Sequence, residues 1–306
     1  MTDVAVIMAT YNGAKYIREQ IDSILNNSYK DFELFIFDDG SNDDTMRIIG
    51  EYVEKNPQKV HFVQNATNVG VIKNFVSAIC QIEANYYLFC DQDDYWNSYK
   101  IEHTIKAIKE EDLKDRECPV VLYGDLEVVD RQLNKISESF YKHGNIEPKK
   151  IDLPHLLMEN KFVGCTMAIN HAVKRYLSTD INGMRMHDWW IGLIGVTFGK
   201  VVYLDESLLK YRQSGNNTVG SSSDISYTLR NLNAIGALKK GLVENCHQAR
   251  AFFDYYGEMI PEDKKDAFTL FGNLQEYNWI KRRYIVIKHG YLKTGFLKNL
   301  AIFILI

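Results

Sequence analysis

The first ninety residues of the chain alternate between short apolar runs and amphipathic segments, and this pattern restricts the fold more than any other feature. Apolar runs occupy about residues 4–9, 32–37, 60–64 and 86–90, and each of the first three precedes apolar residues at helical spacing. Short, continuously apolar runs are typical of strands that are buried on both faces. The alternation therefore predicts an α/β fold with a mainly parallel, Rossmann-like sheet sandwiched by helices, and a ligand site beyond the carboxyl ends of the strands.

Candidate ligand-binding residues follow three of the four runs, at the edge where a ligand is expected. Thr10-Tyr11 follows the first run, Asp38-Asp39 the second and Asp91-Gln92-Asp93 the fourth. In an extended segment Asp91 and Asp93 would reach the same side and could share a Mg²⁺ or Mn²⁺ ion, which prefers oxygen ligands. A solvated acidic turn is the alternative interpretation. The first turn lacks the glycine pattern of a dinucleotide site or a P-loop.

The overall charge and the cysteines exclude other classes of protein. The 306 residues carry a formal net charge of −4, which argues against binding of nucleic acid through phosphate electrostatics. The five cysteines are widely spaced and include no Cys-x-x-Cys pair, so we expect reduced thiols. The N-terminus lacks the pattern of a signal peptide, and no segment has the length of a membrane span. These features predict a cytoplasmic protein.

The C-terminal region differs in character from the rest. Residues 215–224 are rich in Gly, Ser and Asn and predict a flexible linker or lid, followed by a helical region over 225–306. Helices are expected over 227–243, 246–259 and 263–286. Residues 277–306 hold six Lys or Arg and no acid, with apolar side chains at the end of the chain. This combination predicts peripheral contact with the inner face of the cell membrane, although a docked helix or a homodimer face gives the same pattern.

Four motifs, in this order, give the chain a family resemblance. They are Ala-Thr-Tyr-Asn-Gly at 9–13, Asp-Asp-Gly-Ser-x-Asp-x-Thr at 38–45, Asn-x-Gly at 68–70 and Asp-Gln-Asp-Asp-x-Trp at 91–96. The chain thereby resembles GT-A glycosyltransferases of family 2, in particular bacterial rhamnosyltransferase-type enzymes of surface-polysaccharide synthesis. The resemblance covers about residues 3–214. It implies a GT-A domain over 1–214, with a donor-binding half at about 1–98 and an acceptor half at about 99–214.

The resemblance implies a nucleoside-diphosphate sugar as donor. The donor site would include Thr10, Tyr11, Asp38, Asp39, Asn68, Gly70, Lys73, Asp91, Gln92, Asp93, Arg212 and Gln213. The Tyr11 ring would lie against the base, and Asp38 would accept the imide N–H of a uracil or thymine. Asp39 would instead orient its loop. Alternatively, Tyr11 is an ordinary tyrosine in a turn, and the motif that begins at Asp38 is only a turn with a helix cap at Ser41 or Asn42.

The same resemblance assigns the residues that would hold the diphosphate and the metal. Lys73 would meet the diphosphate as a point charge, unless it is a solvated helix residue, and Arg212 would clamp the diphosphate through two hydrogen bonds. Asp93 would be the direct metal ligand, and Asp91 would contact the ribose or the metal. Relatives have histidine where this chain has Ser214, which weakens the expectation of a third metal contact.

On the acceptor side, the resemblance makes Asp188 the catalytic base, close to the start of a predicted helix. The acceptor-binding residues would be Gly164, Cys165, His187, Trp189 and Trp190. The residues alone leave two alternatives open. Asp188 could serve only as a helix cap, and residues 160–170 could form a core strand with a bulge.

The function expected from these features is inverting transfer of a sugar to a lipid-linked or polymeric glycan. The leading donor is dTDP-rhamnose, and a UDP-sugar of galactose, glucose or N-acetylhexosamine is the alternative. Two other classes of protein remain. A nucleotidyltransferase on a similar sheet would release pyrophosphate, but the glycine-rich N-terminal loop of such enzymes is missing. A non-catalytic glycan-binding scaffold would not depend on Asp188.

Overall fold

The computed structural model describes residues 2–213 and 232–306, with the side chains of 232–235 left aside. The described residues form two compact units. Unit 1 contains residues 2–140, 162–180 and 199–213, and unit 2 contains residues 141–161, 181–198 and 232–306. Two segments within the predicted domain 1–214 thus belong to unit 2. Ser214 and the predicted linker 215–224 lie outside the described residues.

Unit 1 opens with the predicted alternation of strands and helices. In chain order the elements are β1 Thr2–Thr10, α1 Ile17–Leu25, β2 Glu33–Asp38, α2 Thr45–Lys55, β3 Val60–Gln64, α3 Val71–Gln81 and β4 Ala84–Cys90. β1 is continuously apolar from Val4 to Met8 because helices cover both faces of the sheet, and every side chain in this range is fully buried. The sequence prediction for this part of the fold is therefore confirmed.

The middle of the chain combines short elements with two long strands. The elements are β5 Tyr95–Trp96, α4 Lys100–Asp112, β6 Val120–Val129, β7 Lys135–Ser137, α5 Phe140–His143, α6 Leu153–Met158, β8 Ala168–Asn170, α7 His171–Lys174, α8 His187–Phe198 and β9 Lys200–Arg212. Gly164–Thr166 forms a 3₁₀ turn before β8. The predicted bulged strand over 160–170 is thus only three residues long, because this turn occupies its centre.

Within the described residues, one sheet of nine strands runs through unit 1 in the order β3-β2-β1-β4-β8-β6-β9-β5, with β7 at the side of β6. The first four strands are parallel to one another. β8 then lies antiparallel to both β4 and β6, whereas β9 is parallel to β6. The sheet is therefore parallel over β1 to β4, where most of the predicted donor residues lie, and mixed beyond β4, where Arg212 and Gln213 lie.

Unit 2 is helical. After α8 its helices are α9 Leu232–Tyr256, α10 Glu262–Gly272, α11 Trp279–His289 and α12 Phe296–Leu305. The predicted break before Cys246 is wrong, because this residue lies fully buried inside α9. The single helix predicted over 263–286 is also wrong. A 3₁₀ turn at Leu274–Glu276 ends the first part, and Asn278 caps the second by accepting from Lys281 N at 3.0 Å.

Aromatic side chains form the core of unit 2. The Trp190 ring lies 5.0 Å from the Phe252 ring, centroid to centroid, and the Phe252 ring stacks on Phe268 at 4.8 Å. Trp190 Nε1 donates to Tyr256 Oη at 3.2 Å, so the buried indole N–H has a partner. In the part of the chain that is described, no helix combines the length and the apolar character needed to cross a bilayer.

Candidate functional site

Three loops begin side by side at the carboxyl edge of the unit 1 sheet, because the strands before them are parallel neighbours. Thr10 at the end of β1 pairs with Asp38 at the end of β2, and Met8 of β1 pairs with Cys90 of β4. Tyr11, Asp39 and Asp91, which are predicted to bind the donor, follow these strand ends directly. Tyr11 is 45% exposed at this edge, so its ring is accessible to a ligand.

Gln92 joins the loop after β4 to the loop after β1. Its Nε2 donates to Tyr11 O at 3.0 Å, and its Oε1 accepts from Tyr11 N at 2.9 Å and from Thr10 Oγ1 at 2.5 Å. A Cβ on Gly13 would lie 2.2 Å from this Oε1, so a larger residue there would displace the amide. Because Gln92 uses both ends of its amide on the neighbouring loop, it acts in this structure to position Tyr11.

The loops after β1 and β2 also hold each other. Asn12 N donates to Ser41 Oγ at 2.8 Å, and Asn42 N donates to Asn12 Oδ1 at 2.9 Å. Gly13 N donates to Thr45 Oγ1 at 2.8 Å. Ser41 and Asn42 therefore connect two motifs, and α2 begins only at Thr45, so neither residue caps the helix. The two motifs form one hydrogen-bonded unit.

Asp38 and Asp39 have different surroundings. Asp38 is fully buried, and its two carboxylate oxygens accept from Ser41 N at 2.9 and 3.1 Å. The carboxylate is thus engaged with its own loop, and its predicted contact with a pyrimidine imide stays a prediction. Asp39 accepts from Val69 N and Gly70 N, both at 2.8 Å. Asp39 therefore orients the loop that leads into α3.

The loop before α3 depends on a residue that sequence reasoning missed. Asn74 is almost fully buried, donates to Phe37 O at 2.9 Å and accepts from Asn65 Nδ2 at 3.0 Å. An amide directly before the apolar Phe75 and Val76 of α3 was the available signal. The loop ends at Gly70, whose φ of 85° favours glycine. Asn68 and Lys73, predicted to meet the donor, are both exposed beside this glycine.

The acidic cluster after β4 is arranged differently from the prediction. Residues 92 and 93 form a turn, so the alternation of an extended strand does not apply to Asp91 and Asp93. The ligand atoms of Asp91, Asp94 and Cys165 instead lie within 4.8 Å of one another. Asp94 and Cys165 are buried, whereas Asp91 and Asp93 are half-buried. The predicted metal pair therefore stays a prediction, beside a third carboxylate that the turn brings close.

Burial and neighbouring charges change the pKa values of two members of this cluster. Burial, together with the charges of Asp91 and Asp93, raises the pKa of Asp94 well above its ordinary value. Burial, with the charges of Asp94 and Asp91, also raises the pKa of the Cys165 thiol well above its ordinary value. A protonated thiol is a poor ligand for a hard cation. The donor set thus fits Mg²⁺ or Mn²⁺ through carboxylate oxygens and not through sulfur.

Arg212, at the end of β9, hydrogen-bonds the main chain of the acidic turn. Arg212 as a whole is 2% exposed. Its guanidinium donates from Nε to Asp93 O at 2.9 Å and from Nη1 to Arg131 O at 2.6 Å, and pairs with Glu19 through Nη2. In this structure the donors of Arg212 therefore face protein acceptors, and the predicted clamp on a diphosphate stays a prediction. The main chain of the next residue, Gln213, stays paired with β6, because Gln213 N donates to Val129 O at 2.9 Å.

Asp188 lies in the first turn of α8, in unit 2. Its side chain is buried, and its Oδ1 accepts from Trp189 N at 2.6 Å and from Asn160 Nδ2 at 3.1 Å. The negative charge is stabilised there by the helix N-terminus. Asn160, which sequence reasoning did not select, thus fixes the orientation of the predicted base.

The other residues predicted to bind the acceptor are largely buried. Trp190 is fully buried in the aromatic core, and Trp189 donates from Nε1 to Leu156 O at 2.7 Å. His187 and Cys165 are buried as well, and Gly164 lies in the 3₁₀ turn. In this structure both tryptophans are packed inside the protein, and their predicted role in acceptor binding stays a prediction. The apolar character of α8 arises because the helix is packed on all sides.

Burial of His187 makes the stability of the protein depend on pH. It lowers the pKa of His187 from 6.5 to about 3. Between these values the unfolded chain binds a proton that the folded chain does not, so the free energy of unfolding falls as the pH falls. We expect His187 to account for a loss of about 2 kcal/mol between pH 7 and pH 5.

Denaturant unfolding at the two pH values measures this contribution. His187→Met should remove about 2 kcal/mol of the pH dependence, whereas replacement of the exposed His247 by glutamine should leave the dependence unchanged. An identical pH dependence in wild type and His187→Met would contradict the assignment.

Comparison with known proteins gives a consistent result at the level of the family. The family model described as glycosyl transferase family 2 matches residues 5–174. An uncharacterized glycosyltransferase of Rickettsia typhi is 27% identical over 227 residues, which cover 72% of this chain and 66% of that protein. The dTDP-rhamnosyl transferase RfbG of Shigella flexneri is 27% identical over 230 residues, which cover 70% of this chain and 74% of that protein. The match thus spans just under two thirds of the Rickettsia relative.

Solved structures show the same fold. The structure of residues 1–349 of Staphylococcus aureus TarS in complex with UDP-GlcNAc has a TM-score of 0.56 at 17% identity, over 92% of this chain and 83% of that one. The mannosyltransferase PcManGT from Pyrobaculum calidifontis, in complex with GDP-Man and Mn²⁺, has a TM-score of 0.51 at 16% identity, over 95% and 79%. At these identities the likeness concerns the fold alone.

Proposed function

This chain belongs to glycosyl transferase family 2, and we propose on this basis that it transfers a sugar from a nucleoside-diphosphate sugar to a glycan with inversion at the anomeric carbon. The observation that carries the proposal is the joined set of loops after β1, β2 and β4. These loops present Tyr11 at the carboxyl edge of a parallel sheet, with the half-buried Asp91 and Asp93 on the loop that Gln92 joins to Tyr11. Such an edge is where α/β sheets bind nucleotides.

The proposed reaction is a single displacement. Asp188 takes the proton of the acceptor hydroxyl, and the hydroxyl oxygen forms a bond to the anomeric carbon. The bond between that carbon and the diphosphate oxygen breaks, and the nucleoside diphosphate leaves with the electron pair. Asn160 keeps the Asp188 carboxylate oriented through its hydrogen bond. Arg212 acts through the main chain of Asp93, whose carbonyl it holds.

A divalent cation has a defined place in this proposal. Mg²⁺ or Mn²⁺ held by Asp91 and Asp93 would neutralise charge on the diphosphate as it leaves. Asp94 is fully buried and contacts the end of β9, so we assign it to the support of the turn. Its Oδ1 accepts from Arg212 N at 3.4 Å.

The donor proposed first is dTDP-rhamnose, on the strength of the likeness to a dTDP-rhamnosyl transferase. A UDP-sugar is the second candidate, since TarS, which has a similar fold, was solved with UDP-GlcNAc. We further propose a lipid-linked glycan of surface-polysaccharide synthesis as acceptor, with peripheral membrane contact through α11 and α12. Apolar side chains on these helices are strongly exposed, Trp279 at 65% and Phe296 at 80%, among six basic residues.

Nucleotide release from a panel of donors tests this function. The full chain is incubated with uridine-, thymidine- and guanosine-diphosphate sugars in the presence of Mg²⁺, Mn²⁺ or EDTA, and released nucleoside diphosphate is measured. We expect release from thymidine-diphosphate rhamnose that EDTA suppresses. Release from a uridine-diphosphate sugar alone would move the donor to the second candidate. Pyrophosphate release, or no release and no binding of any donor, would overturn the proposed function.

A further inference from the structure

Unit 2 contains a cluster of lysines around a single carboxylate. Lys161 is almost fully buried, pairs with Glu159 through Nζ, and donates from the same Nζ to Thr294 Oγ1 at 2.5 Å. Lys298 Nζ lies 3.8 Å from Glu159 Oε1, and Thr294 N donates to Glu159 Oε2 at 3.0 Å. Lys293 is the third lysine of the group. We call Lys161, Lys293 and Lys298 together the lysine cluster.

The lysine cluster carries more positive charge than the protein neutralises. Lys161 and Lys298 lie beside the carboxylate of Glu159 and Lys293 is within range of its charge, so the net charge of these four groups is +2. Arg185, also near Lys293, already pairs with Glu244 at 3.0 Å. Among the described residues no ion pair includes Lys293. An excess of positive charge in a half-buried place is costly unless an anion joins it.

The pKa of Lys293 reflects the same imbalance. Burial lowers it, the charge of Glu159 opposes this, and the charges of Lys298, Arg185 and Lys161 lower it further. Lys161 shows the same direction, because burial lowers its pKa despite the contact with Glu159. An anion placed among these groups would reverse both shifts.

The loop that carries Lys293 is fixed in place. Lys293 N donates to Asn299 Oδ1 at 2.7 Å, and Asn299 Nδ2 donates back to Lys293 O at 2.8 Å. Gly290 and Gly295, with φ of 71° and 96°, begin and end the loop between α11 and α12. Lys293 therefore lies between the two helices whose apolar side chains are exposed. A rigid loop does not lose order when it binds a ligand, which favours binding.

The lysine cluster is also linked to the proposed catalytic base through Asn160. Glu159 and Lys161 flank Asn160, whose Nδ2 donates to Asp188 Oδ1 at 3.1 Å. The positively charged Lys161 therefore directly follows the residue that hydrogen-bonds the proposed base, Asp188. The ligand suggested by this arrangement is an anionic part of the acceptor.

We propose that the lysine cluster binds the diphosphate that links the acceptor glycan to its lipid. The inference rests on the proposed function. A diphosphate matches the net charge of +2, and lysines bind phosphate oxygens as point charges. The position of Lys293 between α11 and α12 places the cluster beside the helices proposed to contact the membrane surface, where the head group of such a lipid lies. A soluble phosphate compound has the same chemistry and is distinguished below.

The first experiment measures binding of inorganic pyrophosphate to the full chain by calorimetry, in EDTA so that no metal bridges it to the acidic turn. We expect Lys293→Gln to weaken binding by about 10- to 100-fold, as for the loss of a charged hydrogen bond. Lys239→Gln, at an exposed lysine of α9, should bind as wild type does, and Lys73→Gln reports any pyrophosphate that binds on the donor side. Lys293→Arg keeps the charge and should retain most of the affinity.

Two results of this experiment would overturn the proposal. One is wild-type affinity in a Lys293→Gln protein that melts at the wild-type temperature. The other is a loss of affinity in Lys73→Gln alone, which would assign the pyrophosphate to the donor side. If Lys293→Gln does not fold, Lys298→Gln takes its place with the same expected result, because Lys298 lies at the outer side of Glu159.

A second experiment separates the lipid-linked diphosphate from a soluble phosphate. Phosphatidylcholine vesicles with or without farnesyl diphosphate are sedimented with the full chain. Farnesyl diphosphate should increase the bound fraction for wild type and Lys239→Gln, and not for Lys293→Gln. No increase for wild type, despite Lys293-dependent binding of pyrophosphate, would overturn the lipid-linked assignment and indicate a soluble ligand.

Donor hydrolysis keeps this proposal separate from the proposed function. Water replaces the acceptor in that reaction, so Lys293→Gln should release nucleotide from the donor at the wild-type rate. Normal release together with unchanged pyrophosphate binding in Lys293→Gln would reject the lysine cluster alone. Absence of release and of nucleotide binding in wild type would reject the proposed function instead.

Discussion

Replacement of Asp188 by asparagine should lower kcat for sugar transfer by about 10²- to 10⁴-fold, the range for loss of a general base. The amide has the same size, and its Oδ1 can still accept from Trp189 N and Asn160 Nδ2, so the fold should be retained. An amide cannot take up the proton of the acceptor hydroxyl. Nucleotide affinity should therefore remain at the wild-type value while the rate of nucleotide release falls.

Asp254→Asn provides the matched control for this experiment, because Asp254 is an exposed acid of α9 in the same unit. Its rate should equal that of wild type. A wild-type rate in Asp188→Asn would remove Asp188 from the reaction and reduce it to a residue that stabilises the start of α8. Release measured with and without a glycan acceptor would then show whether another group serves as base.

Loss of a carboxylate from the acidic turn should have the second largest effect. We expect Asp93→Asn and Asp91→Asn each to lower kcat/KM by about 100-fold or more, since the charge of the leaving diphosphate is then poorly neutralised. Calorimetry with Mn²⁺ should show weakened metal binding in both variants. EDTA should reduce the wild-type rate to a similar level.

Two neighbours of this turn test which carboxylates bind the metal. Cys165→Ser should bind Mn²⁺ as wild type does, because sulfur is a soft ligand that a hard cation does not prefer. Asp94→Asn should also retain the metal, because its buried carboxyl supports the turn through Arg212 N. Loss of Mn²⁺ binding in Asp94→Asn with normal binding in Asp93→Asn would replace the proposed pair by Asp91 and Asp94.

The network around Gln92 and Arg212 shows how supporting residues escape sequence reasoning. Both were predicted to touch the donor, because they stand within or beside recognisable motifs. In the structure Gln92 binds the main chain of Tyr11, and Arg212 binds the main chain of Asp93. A motif records that a residue type is needed at a position. Whether the side chain faces the ligand or the neighbouring loop depends on partners up to 193 residues away in the chain, as for Arg212 and Glu19.

The lysine cluster is a second feature that sequence reasoning did not reveal, because its members are distant in the chain. Lys161 and Thr294 are 133 residues apart, and no local pattern connects them. Lys161 stands in a segment predicted as a strand, whereas Lys293 appeared only as part of a general basic bias near the end of the chain. The excess of positive charge becomes visible only when the two segments are placed together.

Local sequence by itself determined the parallel strands of the first ninety residues, the helices between them and the edge at which polar loops gather. Those features follow from apolar periodicity and from the geometry of parallel strands, both of which act over a few residues. Tertiary structure alone decided that residues 92 and 93 turn, that α8 is buried on all sides, and that Asn160 holds Asp188. These outcomes depend on which distant side chains compete for the same space and the same hydrogen bonds, and the packed fold is what decides that competition.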